Sequence, residues 1–405
     1  MLTYRYTARD PSTGQYVKAE VQAEDERAAS KLITKEGLVP IEIKLAEKGA
    51  GGFGGRFNRI KTKDKVIFSR QLSTLINAGL PLVQALRTVN QQTTSKPLKV
   101  VLGKVITDVE AGSALSAAMA RHPQVFNRVY ISLVAAGESS GTLDKALDRL
   151  AIQQEKDADL ISKVRGAMVY PIIVLLVMVA VVAFMLVRVL PQVQVMYEGV
   201  PGAELPMITK LLLAVSHFVI DFWWIIVILV GLGIFFTSRW AQTVAGRRFV
   251  DRLKMRMWPI GPLFMKMYMA RFARTGATLV GSGVPLIQML EITGDAVDNV
   301  HIKDSLDKAA DKVKGGRALS DTLQNDPNFL ELIPSMLRIG EQSGSLEQML
   351  GKTADYYEKE VDDQIKAIST VIEPVLMIML GIMAFVIVAA VLLPIYSLAG
   401  QSFIR

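Results

Sequence analysis

Two long stretches of the chain share one pattern, in which polar residues with helical spacing lead directly into a long apolar run. In the first stretch Phe68, Leu72 and Ile76 recur with the period of an α-helix, which predicts one apolar face on an otherwise polar helix. The apolar runs cover residues 167–187 and 374–397, and neither contains a charged residue. The first run has 21 residues. That is roughly 32 Å of α-helix, so each run can cross a bilayer.

A third charge-free run covers residues 222–238, and the distribution of basic residues orients all three runs. Eight Lys and Arg residues lie between 239 and 271, whereas the segment 191–216 contains only Lys210. Because Lys and Arg are enriched in cytoplasmic loops, we expect the amino terminus and the segment 239–371 in the cytoplasm. The predicted transmembrane helices are 167–190, 211–238 and 372–397, with an outer loop at 191–210 and an outer tail at 398–405.

The two stretches are copies of one unit. Gly79 recurs at Gly283, an offset of 204, and Glu138 recurs at Glu341, an offset of 203. The recurring segments are Ala78–Leu82 and Ser282–Leu286, Ala114–Ser116 and Ala318–Ser320, and Gly137–Gly141 and Gly340–Gly344. Internal repeats of this kind are typical of duplicated membrane proteins. Because two spans separate the copies, we expect both polar bundles on the same side of the membrane.

The pattern as a whole predicts a mainly α, polytopic membrane protein with two homologous cytoplasmic helical bundles, at 61–166 and 268–371, and three transmembrane helices. The first 45 residues predict a small α/β module, because three short segments alternate like strands and the segment 25–35 has helical character. A Gly-rich linker at 46–60 and a basic cytoplasmic linker at 239–267 are expected to join these parts.

Composition agrees with a membrane protein that has large water-exposed parts, since 51% of the residues are hydrophobic and 21% are charged. The chain has no cysteine, which excludes disulfides and thiolate chemistry. The three histidines are scattered, and Gly351-Lys352-Thr353 lacks the earlier glycine of a phosphate-binding loop, where Leu346 stands. We therefore expect no catalytic residue, no metal site and no bound cofactor.

The segment Gly137–Gly141 has the spacing of a hydrolase nucleophile elbow around Ser139, but it joins two predicted helices and its repeat has Gln342 instead of the serine. A helix–helix turn is the simpler interpretation. The glutamates need another explanation, because Thr142 and Ser345 are expected to cap the following helices and a carboxylate opposes the dipole of the preceding one. Glu138 and Glu341 are therefore candidates for an interface or a polar network.

Other paired residues are further candidates. The proposed interface and motif residues are Gly137, Glu138, Gly141, Gly340, Glu341, Gly344, Glu155 and Glu358. For the last two, a solvated helix face is an adequate alternative. Pro171 and Pro374 lie at the membrane entry and predict a helix start or kink, a hinge between bundle and span, or both. The turns that begin each bundle are expected at Gly79, Pro81, Gly283 and Pro285, with glycine ending one helix and proline opening the next.

Three ionisable residues near the outer membrane interface leave a second class of function open. Arg188 lies at the outer end of the first span, and His217 and Asp221 are four residues apart on one helical face, where they can pair. Ionisable residues inside a membrane favour an ion or proton pathway. A subunit of a membrane transporter or channel is therefore the alternative hypothesis.

The repeated motifs resemble those of a known family. The paired helical bundles, the three spans, the Gly-Glu-x-Ser-Gly motif in both copies and the Tyr170-Pro171 and Glu373-Pro374 pairs are similar to the inner-membrane platform protein of type IV pilus and type II secretion systems. The resemblance covers residues 61–400 and, more loosely, the amino-terminal module.

This resemblance implies a non-enzymatic scaffold in the bacterial inner membrane. It implies a homo-oligomer that meets a hexameric cytoplasmic assembly ATPase, pilin or pseudopilin subunits and other inner-membrane assembly proteins, with the lipid bilayer around it and no nucleic acid. The resemblance alone does not distinguish a pilus from a secretion system.

Overall fold

The computed structural model has a small strand unit and a large helical unit. Its described residues are 2–9, 16–23, 30, 32–34, 39–45, 60–198, 207–258 and 260–402. Nearly all of the predicted linker 46–60 lies outside them, as do most of the predicted helix 25–35 and parts of the predicted outer loop and tail. The chain divides into two compact units, Met1–Lys61 and Thr62–Arg405.

In the first unit, three strands form an antiparallel sheet in the order β2-β1-β3. The strands are β1 (Leu2–Arg9), β2 (Tyr16–Ala23) and β3 (Val39–Leu45). Leu2 pairs with Ala23 at one end of β1, and Tyr4 pairs with Leu45 on its other edge. The register against β3 shifts between Thr7 and Ala8.

The second unit begins with a bundle of six helices. These are α1 (Thr62–Asn77), α2 (Leu82–Gln92), α3 (Lys96–Glu110), α4 (Leu115–Ala120), α5 (Arg128–Ser140) and α6 (Leu143–Phe184). The polar half of α6 lies in the bundle, and the same helix continues through Pro171 into the first apolar run. A short π-helical segment, Met185–Val189, follows it and leads into α7 (Leu190–Glu198).

The second apolar run lies in α8 (Met207–Ala241), which has one residue with non-helical dihedrals, Phe222. The predicted basic linker 239–267 contains a helix that the sequence did not lead us to expect, α9 (Val244–Arg256). Thr243 caps α9 by accepting a hydrogen bond from Gly246 N at 3.1 Å. The buried Asp251 of α9 accepts a hydrogen bond from Val300 N at 3.1 Å, so α9 is fixed against the bundle that follows.

A second bundle repeats the first, helix for helix. Its helices are α10 (Gly261–Gly281), α11 (Leu286–Val297), α12 (Val300–Lys314), α13 (Leu319–Leu323), α14 (Leu332–Ser343) and α15 (Leu346–Ser402). α10 starts at Gly261, seven residues before the predicted start of the bundle at 268. α15 runs from the bundle through Pro374 and on to Ser402, so it enters the segment expected as an outer tail.

The two bundles also repeat their cores. Phe68 and Phe126 are each 1% exposed, and their ring centroids lie 6.0 Å apart. Phe272 and Phe329 occupy the repeat-equivalent positions, with ring centroids 5.3 Å apart. The same aromatic pair therefore closes both bundles, at the same place between the first helix and the turn before the fifth.

Three helices are long and apolar enough to cross a membrane: Leu143–Val195, Thr209–Ala241 and Leu346–Leu392. They meet in a small apolar cluster formed by Met185, Leu190, Leu213 and Ala390. The structure thus contains three helices suited to cross a membrane, as the sequence predicted.

Candidate functional site

The glutamate of each Gly-Glu-x-Ser-Gly motif closes the start of a short helix. Leu115 N and Ser116 N both donate to the Glu138 carboxylate, Ser116 N over 3.0 Å, and the Ser116 hydroxyl donates to it as well. In the second copy, Leu319 N and Ser320 N donate to Glu341 over 2.6 and 3.2 Å. Each carboxylate therefore caps a neighbouring short helix of its own bundle, α4 for Glu138 and α13 for Glu341.

The reason for this long-range cap lies at the N-cap residues themselves. Ala114 and Ala318 occupy the N-cap positions of α4 and α13 and make no side-chain cap hydrogen bond. The first backbone N–H groups of a helix have no partner within the helix, and a negative charge is favourable there. The repeat of Ala-Leu-Ser and the repeat of Gly-Glu-x-Ser-Gly are thus two halves of one interaction.

The expected caps of the following helices are not as the sequence suggested. Thr142 makes no side-chain cap hydrogen bond to α6, and its hydroxyl lies 2.7 Å from the Ser140 hydroxyl. The Ser345 hydroxyl likewise lies 2.6 Å from the Ser343 hydroxyl. Each of these hydroxyls is hydrogen-bonded to a neighbouring serine hydroxyl and not to a backbone N–H of the following helix. The spacing of the residues alone did not predict this.

The glycines of the motif allow two helices to meet at a sharp turn. Gly141 and Gly344 have φ values of +71° and +67°, in the left-handed region that glycine adopts readily. A Cβ atom added at Gly137 would lie 2.5 Å from Ala146 Cβ, and one added at Gly340 would lie 3.0 Å from Leu346 Cα. The motif therefore holds α5 against α6, and α14 against α15, at backbone contact. Ser139 only returns its hydroxyl to Ala136 O at 3.0 Å.

Glu155 and Glu358 belong to a repeated ion pair, whose arginine partners the sequence did not lead us to expect. Arg70 donates to Glu155 with two nitrogens, over 2.6 and 2.5 Å. Arg274, at the equivalent position, donates from Nε to Glu358 over 2.7 Å. The recurring Phe-x-Arg at 68–70 and 272–274 was the signal that could have revealed these arginines.

The ion pairs shift the titration of their members. Hydrogen bonds from Arg70 hold the pKa of Glu155 below its usual range, against the opposing effect of burial. Burial would lower the pKa of Arg274, but its hydrogen bonds with Glu358 and Asp355 outweigh burial and raise that pKa. Each pair ties the first helix of a bundle to the long helix that enters the membrane.

In the two turns expected near the start of each bundle, the glycine adopts a left-handed conformation and the proline opens the next helix. Gly79 and Gly283 have φ values of +84° and +80°. Pro81 and Pro285 are the N-cap residues of α2 and α11. Leu80 N donates to Leu75 O over 3.1 Å, a bond that closes the end of α1.

Pro171 and Pro374 lie inside continuous helices, so neither starts a helix. Each proline lacks an N–H and removes one backbone hydrogen bond from its helix. The two positions lie where the polar halves of α6 and α15 meet the apolar halves.

The ionisable residues near the outer interface do not form the expected pair. His217 Nε2 lies 2.9 Å from Gln194 Oε1 of α7, and Asp221 and Arg188 are exposed. One turn of α7 is thereby joined to α8.

A polar seam joins the two bundles of one chain. Three basic residues spaced seven apart on α6 form ion pairs of 2.9, 3.0 and 2.9 Å with three acidic residues of α15. We name these the first basic stripe, Arg149, Lys156 and Lys163, and the second acidic stripe, Glu347, Glu358 and Asp362. At the centre of the seam the buried Gln153 donates to Thr275 Oγ1 over 3.1 Å and accepts from Thr278 Oγ1 over 3.3 Å.

Comparison with known proteins assigns the family. The sequence profile described as type II secretion system (T2SS), protein F matches residues 68–191 and again 272–394, which are the two copies of the repeat. The chain belongs to this family. The profile for the amino-terminal domain of the same family matches residues 1–44, which is the strand unit.

Relatives from both kinds of system resemble this family member along its whole length. A type IV pilus assembly protein PilC of Thermus thermophilus is 40% identical over 406 residues, covering 99% of each chain. A type II secretion system protein F of Pseudomonas aeruginosa is 34% identical over 403 residues, covering 98% of this chain and 99% of the relative. The expected family and the internal repeat are thus confirmed.

Proposed function

We propose that this protein is the inner-membrane platform of a type IV pilus or type II secretion machine, where it couples a cytoplasmic assembly ATPase to the extraction and polymerisation of pilin or pseudopilin subunits. In this role the strand unit and both bundles lie in the cytoplasm. The relatives named for pilus assembly and for type II secretion support this proposal.

The observation that best supports this coupling is that one continuous helix joins each bundle to its span. α6 has 42 residues and α15 has 57, and each begins at a motif turn inside a bundle and ends in an apolar run. A helix of 42 residues is roughly 63 Å long. A helix without a break transmits a displacement of the bundle to the membrane, and the Arg70–Glu155 and Arg274–Glu358 pairs brace its cytoplasmic half.

The proposed protein is a scaffold and not an enzyme. Its proposed partners are further copies of itself, a hexameric assembly ATPase, pilin or pseudopilin subunits and other inner-membrane assembly proteins. The ATPase supplies the energy, and this chain uses no cofactor of its own. Pro171 and Pro374 are the proposed hinges, because each removes one hydrogen bond where the helix enters the membrane. The helix stays continuous at both prolines, so it can bend there and still transmit a displacement along its axis.

The first test is purification of the full chain from its own cells in a mild detergent, followed by mass spectrometry of the bound proteins. Recovery of a hexameric ATPase together with pilin-like subunits supports the platform and names the system. Recovery of the chain alone, or with a solute-binding protein, overturns it in favour of the transporter alternative.

A second test addresses the coupling itself. Two glycines inserted after Gly166 interrupt α6 between bundle and span, because glycine destabilises a helix interior. We expect the variant to reach the membrane and retain the ATPase, while fibre assembly or secretion falls at least tenfold. The same insertion between Thr94 and Ser95, in the loop before α3, is the matched control and leaves assembly intact. Normal assembly with the interrupted helix contradicts the coupling role.

A further inference from the structure

The charged stripes at the seam are themselves repeated, and half of them have no partner stripe. The positions equivalent to the first basic stripe again carry bases spaced seven apart. They form the second basic stripe, Lys352, Lys359 and Lys366. The positions equivalent to the second acidic stripe again carry acids. They form the first acidic stripe, Asp144, Glu155 and Asp159. All six positions therefore keep the sign of their charge in both copies.

Within one chain, only one of the two possible seams is formed. The first basic stripe pairs with the second acidic stripe. All three lysines of the second basic stripe are exposed, and Lys352 and Lys359 make no ion pair with any residue that the structure describes. Asp144 likewise has no ion pair in the described part of the chain, and Glu155 and Asp159 pair only within their own bundle, with Arg70 and Lys163.

The positions around the free stripes are also open. Gln153, at the centre of the formed seam, is 2% exposed, whereas its counterpart Tyr356 is 49% exposed. Gln153 contacts Thr275 and Thr278 of α10, whose counterparts in α1 are Gln71 and Thr74. Next to these, Ile67 is 44% exposed. The positions equivalent to those that the formed seam buries are therefore open to solvent on the two unpaired faces.

The formed seam joins different surfaces of the two bundles. The first bundle contributes α5 and α6 and the second contributes α10, α11 and α15, so the contact is head-to-tail and not two-fold symmetric. A head-to-tail contact leaves one free surface of each kind and can be repeated. The free stripes carry charges of the same signs, in the same order, as the stripes already joined. The Arg128–Asp295 ion pair of the joined surfaces is not repeated, because the equivalent positions carry Glu331 and Gln91.

We propose that a second copy of this chain occupies the free surface, with the second basic stripe of one chain docking on the first acidic stripe of the next. The intermolecular seam repeats the geometry of the seam inside each chain. This names the contact for the homo-oligomer of the proposed function, and its test uses the purified chain alone, so its outcome is separate from that of the platform proposal.

The direction of the helices is compatible with assembly in one membrane. Along the formed seam the ion pairs advance together, from Arg149–Glu347 to Lys163–Asp362, so α6 and α15 run parallel. A repeat of the same contact keeps every span pointing the same way. Successive head-to-tail contacts then arrange the chains around an axis along the membrane normal, and a closing rotation gives a ring.

A charge-swap experiment tests this contact. Variant one carries Lys352→Glu and Lys366→Glu, and variant two carries Asp144→Lys and Asp159→Lys. Each is reconstituted in liposomes, and self-association is measured by energy transfer between dyes attached through Lys104→Cys, which is the only cysteine because the natural chain has none. Lys104 is exposed on α3, a helix that carries none of the stripe residues.

We expect the wild type to associate and each variant alone to associate at least tenfold more weakly. Mixing the two variants restores association, because each native stripe and each reversed stripe then meets its opposite. Restoration also demonstrates that both variants are folded. The control variant Lys99→Glu with Lys308→Glu makes the same change in net charge as variant one, at exposed positions outside the stripes, and associates like the wild type.

Three results overturn the proposal: a wild type that does not associate, variants that associate as strongly as the wild type, and a mixture that remains as weak as the separate variants.

Discussion

At Glu138 and Glu341 a single carboxylate joins parts of the chain that are 21 to 23 residues apart. The interaction is electrostatic as well as directional, since a charged acceptor meets backbone donors at a helix start. These residues were candidates for an interface or a polar network, and the interface role stays a prediction. Their observed hydrogen bonds lie within each bundle, so a change at either residue acts first on the bundle.

The variant Glu341→Gln tests the strength of this cap. It keeps the shape of the side chain and removes its charge, so we expect a loss of about 1–2 kcal/mol of stability. Thermal unfolding in detergent at a fixed scan rate measures the change. Gln342→Ala alters the exposed neighbour and is expected to leave the midpoint unchanged. Equal midpoints for all three proteins would disprove the cap.

Replacing the first glycine of the motif by alanine is expected to lower stability, whereas the same change at another helical glycine is expected to raise it. In Gly137→Ala the new Cβ would lie 2.5 Å from Ala146 Cβ, and overpacking of this kind costs about 1–3 kcal/mol. In Gly103→Ala nothing lies within 4 Å of the new Cβ, on α3, and alanine there stabilises by about 0.5–1 kcal/mol. Thermal midpoints of the two variants should fall on either side of the wild type.

At the scale of one element, Pro191 accounts for the π-helical segment at the end of the first span. A hydrogen bond from another helix replaces the backbone bond that this segment lacks. Leu190 N bonds to Met185 O, one residue further back than in an α-helix, and Pro191 has no N–H to offer. The Leu186 carbonyl is left without a partner in its own helix. The buried hydroxyl of Ser216, on α8, donates to it.

We therefore expect Ser216→Ala to destabilise the protein by about 1–3 kcal/mol, the cost of a buried carbonyl without a hydrogen bond. The matched control is Ser238→Ala on the same helix, because the Ser238 hydroxyl bonds only to Phe235 O of its own helix at 2.8 Å. Unfolding in liposomes or detergent, followed by resistance to protease, measures both. An effect of the same size in both variants would contradict the role assigned to Ser216.

At the scale of the whole molecule, the seam between the bundles makes stability depend on pH. Asp295 of α11 bonds to Lys303 and, across the seam, to Arg128 at 2.6 Å. Burial alone would raise the pKa of Asp295, but these hydrogen bonds outweigh burial and hold its pKa below the usual range. A lowered pKa adds stability above the unfolded value of about 3.9, and that stability is lost as the pH falls through the folded value.

The difference in thermal midpoint between the wild type and Asp295→Asn should thus be largest at pH 6 and should shrink steadily below about pH 4. Asp307→Asn is the control, since Asp307 makes no ion pair with a described residue. A difference between wild type and Asp295→Asn that is constant from pH 6 to pH 3 would disprove this linkage.

Much of the fold could be predicted because its signals are local or repeated. Helical periodicity and the charge-free runs predicted the spans, and the repeat predicted that the second bundle copies the first. α9 was missed because its positions read as a basic connection, and only the packing of Asp251 against the start of α12 shows why it is a fixed helix.

The sequence by itself determined the duplicated plan of bundle and span, since apolar burial and helical spacing depend on residue type and order. Only the tertiary structure decided what the repeated charges do. The sequence does not show whether a carboxylate such as Glu138 or Glu358 faces water, a helix start or an arginine. Its contribution to stability depends on the groups that folding brings near it. Folding brings α4 to Glu138 and brings Arg274 and Lys156 to Glu358.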